Sequence, residues 1–407
     1  MKLVSGALRL ARSFTRYTPA RRKRAKRVPI ANILRGGENG IPGNKYVRLV
    51  GDPLRSSTRI SEGPHVQLLR AYLAEGAAIF DPQYFEHTAY YRNAAECIEF
   101  TGRYFTATRN REIIGIATNF LESFRAGATG SFPVAHGHSA TDANIVLRPI
   151  AYSDCYELVD GNHRIANQIV EGNTHVIADI EADPAATPAQ ELLLDVIWQN
   201  GRQELYQPVE LPEVAGWPLV RVCSDRLMLM TSFLRSRGLL AAGTSLLDLG
   251  CSYGWFLSQM KSKRGFEVKG VDRDPFALAV GRQIYNLPES NLIRSSIPAY
   301  LLSHHEKYDV VCLFSVLHHF LLSQQAITAP ELIGLADKIT SRVLFFETGQ
   351  GTEAWFAKTL PGWTPEYIER WLKSNTTFSE IVPLGQDEDS RGAFAENYKR
   401  TLFACVR

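Results

Sequence analysis

Apolar positions divide the chain near residue 219. From there to the end, apolar runs that close at Asp248, Asp272, Phe314 and Thr348 alternate with stretches of helical period. Such alternation predicts an open parallel α/β sheet. Upstream, residues 44–185 are mixed. Helical period is read at Val66–Leu73 and Ile113–Phe124, and strand-like runs at Tyr46–Val50, Ile145–Ile150, Tyr156–Val159 and Thr174–Ile180. The Pro-rich segment Asp183–Pro188 punctuates this region. A helix near Gln190–Gln203 and a Pro-containing loop at Gln207–Pro218 then lead into the alternating part. The predicted organisation is an arm over 1–43, a domain over 44–185, a linker with a helix over 186–218 and a domain over 219–407.

Charge changes the picture at one end only. Of the 407 residues, 45 are Lys or Arg and 42 are Asp or Glu. Eleven of the basic ones and none of the acidic ones fall in residues 1–35, so the remainder holds 34 basic against 42 acidic side chains. An acidic body argues against a broad nucleic-acid surface. Leu3, Ala7, Leu10, Phe14 and Tyr17 recur at helical spacing, with Arg9, Arg12 and Arg16 on another face, and Arg-Arg-Lys-Arg-Ala-Lys-Arg follows at 21–27. A solubilising arm, attachment to an anionic membrane surface, an organellar transit segment and contact with nucleic acid all fit that arm. No apolar run reaches the ~18 residues of a membrane helix. The six cysteines are scattered without zinc-type spacing and read as reduced, buried thiols of a cytosolic protein, with no metal site expected.

The densest chemical signal is Ser245-Leu-Leu-Asp-Leu-Gly-Cys-Ser-Tyr-Gly-Trp255. A strand closes at Asp248, a turn spans Gly250, Ser252 and Gly254, and a helix opens near Trp255. In an open α/β sheet, ligands bind beyond the strand carboxyl ends at such a turn. The outer glycines lie four apart, not the five of a dinucleotide fingerprint, so a cofactor with an amino-acid end and a nucleoside fits better. Asp272 ends the next strand, where an acid accepts bonds from ribose hydroxyls.

On these residues the region 219–407 resembles the class I S-adenosylmethionine-dependent methyltransferases. The resemblance implies a seven-stranded, doubly wound Rossmann-like sheet, with Phe378–Pro383 and Arg400–Val406 as antiparallel sixth and seventh strands. It also implies S-adenosylmethionine as cofactor, Asp248 facing the methionyl amino group, Gly250, Ser252 and Gly254 admitting the cofactor, and Asp272 on the ribose. Ser295 would stand in for a missing adenine-binding acid. Phe314 and the loop Ser315–Phe320 would face the transferred methyl, so His318 and His319 are candidate bases, His319 preferred, with Glu347 as the alternative acid–base residue. Leu317-His-His and Trp363–Trp371 look like methyltransferases acting on small molecules, sugars or a tRNA wobble uridine. Phe314-Ser-Val-Leu317 is unlike the tetrapeptide of the DNA base enzymes.

A second dense segment, Tyr156-Glu-Leu-Val-Asp-Gly-Asn-His-Arg-Ile-Ala-Asn167, reads as strand, Asp160-Gly161 turn and helix. Backbone amides at a helix start beside Arg164 suit an anion, while capping of neighbouring backbone by His163 and Arg164 is the bland alternative. With Gly172 and the strand after it, the pattern resembles the ParB/sulfiredoxin-like α+β domain. The resemblance implies ATP or CTP with magnesium cradled by Gly161, His163 and Arg164, Asp160 near a metal or hydroxyl, and in some members small-molecule kinase activity.

The two halves together predict a two-module bacterial enzyme: an O-methyltransferase for a small molecule or cell-surface glycan intermediate, joined to a nucleotide-binding module. Its expected place is the cytoplasm, peripheral to the inner membrane if the arm binds lipid. A tRNA-modifying methyltransferase and a nucleotide-gated module with a retired methyltransferase fold are the competing readings.

Overall fold

A computed structural model describes residues 22–38, 41–125, 145–323, 326–388 and 399–407. The amphipathic pattern over residues 1–17 lies outside them. The chain forms two compact units, one of residues up to Glu191 together with Glu210–Gly216, the other of Leu192–Val209 and Trp217–Arg407. The expected linker is therefore divided between the two units, with its middle in the second and its end crossing back. Among the described residues no helix is long and apolar enough to cross a membrane.

The amino-terminal unit runs β1 (Arg22–Pro29), β2 (Ile33–Leu34), α1 (Gly43–Val50), α2 (Pro64–Glu75), α3 (Pro82–Phe85), α4 (Ala89–Thr101), α5 (Ile113–Arg125), β3 (Ile145–Pro149), β4 (Tyr156–Asp160), α6 (Asn162–Val170), β5 (His175–Glu181) and the first half of α7 (Pro188–Asp195), whose residues from Leu192 on belong to the other unit. Its five strands lie in the order β1-β5-β3-β4-β2. Two expectations fail here. The basic run is not part of an arm: β1 pairs antiparallel with β5, and Val28 opposite Val176 is buried. Nor is Tyr46–Val50 a strand. It lies in a helix that follows Pro42 and ends at Gly51, whose φ of 71° makes the left-handed cap. Gly43, Tyr46 and Val47 are its buried positions, a three-and-four spacing that a strand cannot present to one side. Helices α2, α4 and α5 close a second core around Tyr90, Tyr104 and Phe120.

The carboxyl-terminal unit runs α8 (Ser224–Ser236), β6 (Ser245–Leu249), α9 (Trp255–Arg264), β7 (Glu267–Asp272), α10 (Pro275–Gln283), β8 (Leu292–Arg294), α11 (Ile297–Ser303), β9 (Tyr308–Phe314), α12 (Leu317–Leu322), α13 (Ala329–Ile339), β10 (Thr340–Glu347), α14 (Pro365–Asn375), β11 (Glu380–Gln386) and β12 (Thr401–Val406). Its seven strands lie in the order β11-β12-β10-β9-β6-β7-β8. Strand residues alternate between two cores. Leu247, Val311, Leu344 and Phe403 pack on one face with α13 and α14, while Leu246, Val310, Val343 and Leu402 pack on the other with α8 and α9. Each such side chain contributes roughly 1.5–3 kcal/mol on burial, which is why apolar runs without alternation mark strands covered on both faces. Strand β12 is antiparallel to both β10 and β11. The last strand alone is thus reversed, and β11 runs with the parallel five, contrary to the expected antiparallel pair.

Beside the carboxyl end of β10 lies a cluster of buried charges. Glu347 is paired with Arg400 at 2.7 Å and with Arg221 and Arg226 at 3.3 Å each. Arg400 also holds Glu353 at 2.8 and 3.0 Å, and Arg221 meets Asp387 at 3.1 Å. Three cations and three anions share one buried region, so each compensates the burial of the others. Burial alone would raise the Glu347 carboxyl, but the guanidinium groups of Arg400, Arg221 and Arg226 overcome it and hold it well below the usual range. Removing one member strands its partners. We expect Glu347→Gln to cost about 3–5 kcal/mol. At about 2–4 °C per kcal/mol for a unit of this size, calorimetry would show a fall of roughly 10 °C in Tm. A shift below about 2 °C would show that the cluster does not depend on this anion.

Candidate active site

The turn between β6 and α9 is built from conformations few residues adopt. Gly250, Ser252 and Gly254 have φ of 86°, 51° and 80°. A methyl on Gly250 would meet Val316 Cγ2 at 2.8 Å, and one on Gly254 would meet Leu287 Cδ1 at 2.9 Å, so neither position has room for more than glycine. Ser252 accepts the left-handed region as a single residue, at roughly 1–2 kcal/mol. Its amide helps: Ser252 N–H donates to Asp272 Oδ2 at 2.8 Å, while Asp274 N–H donates to Asp272 Oδ1 at 2.9 Å. The acid expected to hold a ribose therefore also ties the two loops together. With the Arg273 amide also bonding this carboxylate, at least one lone pair is left for a hydroxyl.

Asp248 is 2% exposed at the end of β6. Burial, then the negative charge of Asp272, push its carboxyl up to about 7, with Arg226 opposing. A buried acid so destabilised as an anion is relieved by an ammonium group. The narrow glycine turn, the raised acid and the second acid beside it fit S-adenosylmethionine. Asp248 would face its amino group, Asp272 its ribose and the Gly250–Gly254 backbone its sulfonium end.

Other expected contacts are placed differently. The Phe314 ring lies in the core, 5.3 Å from Phe256 and under Arg226, so it does not line the turn. Ser295 Oγ donates to the Ser296 carbonyl at 3.0 Å, and Ser296 caps α11, so both hydroxyls have local partners. Glu347, ion-paired as above, also accepts a hydrogen bond from Ser315 Oγ at 3.1 Å. An anion held by three cations is a poor proton acceptor, and its place is architectural rather than acid–base.

The two histidines differ. His318 is buried, and its Nδ1 accepts the Gly349 N–H at 3.2 Å, which leaves the ring proton on Nε2. Burial, then Arg400 and His319, push it down to about 3. It is neutral, with its lone pair used. His319 is exposed, with its ring centroid 4.3 Å from that of His318. Partial desolvation, then Arg273 and Arg400, lower its pKa below the ordinary imidazole value. At neutral pH it presents a lone pair toward solvent.

In the amino-terminal unit, Gly161 precedes α6 with φ 109°. Arg164 pairs with the exposed Asp160 at 3.2 Å. His163 does not join them. It is buried, its Nε2 meets Tyr90 OH at 3.0 Å, and Phe120 and His65 pack at 4.3 and 4.6 Å. Burial, with Arg164 nearby, pushes it down to about 3, so it is a neutral core residue rather than a phosphate ligand. A polar cluster not foreseen in the sequence adjoins the same helix start. Asn162 Nδ2 donates to Glu38, Arg55 donates to Glu38 and to Asn93 Oδ1, and Arg35 shares that Asn93 oxygen at 3.0 Å. Its one legible sign is Gly36-Gly37, where a methyl would overlap the carbonyls of Leu158 and Ile41 at 1.7 and 1.5 Å. Among the described residues no group of His, Cys, Asp and Glu forms a metal site.

Comparison with known proteins agrees with this geometry. Residues 221–329 match the family model "Methyltransferase domain". Over 82 residues the chain is 38% identical to a ubiquinone biosynthesis O-methyltransferase of Azoarcus sp. (strain BH72), a match covering 19% of this chain and 34% of that protein. The bifunctional kinase-methyltransferase WbdD is similar over 54% of this chain and 46% of its own, at 19% identity and TM-score 0.42. Magnesium protoporphyrin IX methyltransferase from Synechocystis PCC 6803 is similar over 45% and 78%, at 18% identity and TM-score 0.33. The chain thus spans about a third of the curated relative and under half of WbdD. With the strand order, the glycine turn and the two acids, the sequence matches settle the architecture: the carboxyl-terminal half of the chain carries a class I S-adenosylmethionine-dependent methyltransferase domain.

Proposed function

We propose that the chain is an S-adenosylmethionine-dependent O-methyltransferase for a hydroxylated small molecule, sugars of cell-surface glycan intermediates included. The observation that carries the reading is Asp248, an acid buried just before a glycine turn with a second acid beside it, whose carboxyl is pushed up to about 7. When bound, the cofactor supplies an electrophilic methyl group. The chain's own contribution is alignment of the reactants, which in good geometry supplies much of the acceleration, and removal of the acceptor's proton. His319 serves as base because it is exposed and neutral at pH 7. His318 fixes the loop by accepting from Gly349, which leaves its Nε2–H a donor rather than an acceptor. The 38% identity to an O-methyltransferase supports oxygen as the reacting atom.

For the amino-terminal unit we propose a nucleotide site at the start of α6, with Arg164 and Arg35 facing phosphates. Arg55 is already paired with Glu38 and Glu96, so the cation that an incoming phosphate would meet beside Arg164 is Arg35, whose guanidinium donates to the Asn93 oxygen.

Each reading has its own check. Only ionised Asp248 attracts an ammonium group, so donor affinity should rise about tenfold between pH 6 and pH 8 and level off above the titration near 7. Calorimetry in two buffers should register the released proton, and Asp248→Asn should bind weakly with no such pH dependence. Assayed with labelled donor against phenols and sugars, His319→Ala should lose about 10²–10⁴ in kcat at unchanged donor affinity. Because the His319 pKa lies below the ordinary imidazole value, kcat at saturating donor should rise with pH earlier than a free imidazole would give and be level at neutral pH. Salt-sensitive methylation of tRNA in the same assay would instead favour the RNA reading. ATP and CTP titrated with magnesium should bind the wild type, and Arg164→Ala should lose that binding. No heat with either nucleotide in the wild type would overturn the nucleotide site.

A further inference from the structure

Residues 192–209 precede the family match at 221–329, yet they belong to the same compact unit as the cofactor turn. Besides the pairing of Leu205 with Pro218 and Val220, their contacts within that unit include both loops that carry the cofactor acids. Gln207 is 5% exposed and uses both ends of its amide: Nε2 donates to the Cys251 carbonyl at 3.3 Å, and Oε1 accepts from Trp255 N–H at 3.2 Å. Tyr206 N–H donates to Tyr253 OH at 3.3 Å, and Tyr285 OH donates to the Pro208 carbonyl. On the other loop, Ile197 N–H donates to Asp274 Oδ2 at 2.8 Å. Asp274 Oδ1 caps α10 through Phe276 and Ala277, while Asp274 N–H bonds Asp272.

The reason for the arrangement is chemical. A helix start leaves its first N–H groups without intrahelical partners, and Ser, Thr, Asp or Asn at the N-cap ordinarily answers one of them. At α9 the N-cap is Gly254, which the positive φ and the lack of space require and which has no side chain to offer. Gln207 supplies the missing acceptor from 47 residues upstream. Trp198 and Tyr206, 5.1 Å apart, stiffen the segment.

We propose that residues 192–209 are a brace that sets the spacing of the two cofactor loops, with Gln207 as a positioning residue for cofactor binding. It acts through Cys251 and Trp255 and touches no reactant. The inference rests on the cofactor reading of the Gly250–Gly254 turn.

The test is titration of the full chain with S-adenosylhomocysteine. Gln207→Met keeps the volume and removes both bonds. Asp274→Asn keeps the cap on α10, since asparagine caps as well as aspartate, and deprives Ile197 N–H of its acceptor while removing one negative charge near Asp272. Each should raise Kd at least fivefold, raise KM for the donor in step and leave kcat at saturating donor within about twofold, the pattern of lost ground-state binding. Amide exchange at Trp255 should quicken in Gln207→Met and not in Asp274→Asn. If Gln207→Met fails to fold, Asp274→Asn alone decides. Unchanged Kd in the folded variants, with tight wild-type binding, would overturn the brace and leave the cofactor reading intact. Absence of wild-type binding would overturn the cofactor reading and the brace together.

Discussion

A carboxylate taken out of water must find cations or N–H and O–H donors to replace it, or give up its charge. Four buried acids show how this constraint shapes the chain. Glu347 is compensated by three arginines, and the ends of β9, β10 and β12 meet around that neutrality. Glu213 accepts from Ser57 and Thr187 hydroxyls, which pins the returning segment Glu210–Gly216 into the amino-terminal unit. Glu38 is answered by Arg55 and Asn162. Asp248 is the least compensated, with burial and a second acid both working against its charge. The acid for which the fold provides least is the one at the ligand-facing turn, and that contrast separates a site from a scaffold more sharply than residue type does.

Much of this was legible beforehand. In the second half, apolar runs of strand length and the Gly250–Gly254 spacing are local signals, and they marked the sheet, the turn and both acids. What failed depended on distant partners. The run Arg22–Pro29 reads as a charged arm until β5, some 150 residues away, offers it a ladder. Tyr46–Val50 holds strand-forming residues, but Pro42 and Gly51 bracket a helix. His163, Phe314 and Glu347 sit at motif positions where chemistry is expected, and tertiary packing turned each inward. Gln207 was read only as the start of a Pro-containing loop. Nothing in its neighbourhood shows that a helix cap is owed to Gly254, because the debt is incurred in a different element.

The His318–His319 pair shows how one residue type is sorted into two roles by hydrogen bonding alone. An N–H aimed at Nδ1 fixes one ring's tautomer and spends its lone pair, and the adjacent ring, facing solvent, keeps its own. Adjacent positions on α12 point in different directions, about 100° apart around the axis, so a doubled histidine places one ring in the interior and the other at the surface.

The path of the chain has one more implication. It leaves the amino-terminal unit after Glu191, builds part of the carboxyl-terminal one, returns through Glu210–Gly216 and leaves again at Trp217. Neither unit is an uninterrupted stretch, so no single cut yields both whole. A fragment begun near residue 219, where the hydrophobic pattern changes, would keep every acid and glycine of the cofactor turn and lose the amide that caps its helix. Recombination at that seam would pass on the cofactor turn without the Gln207 side chain that answers its helix start.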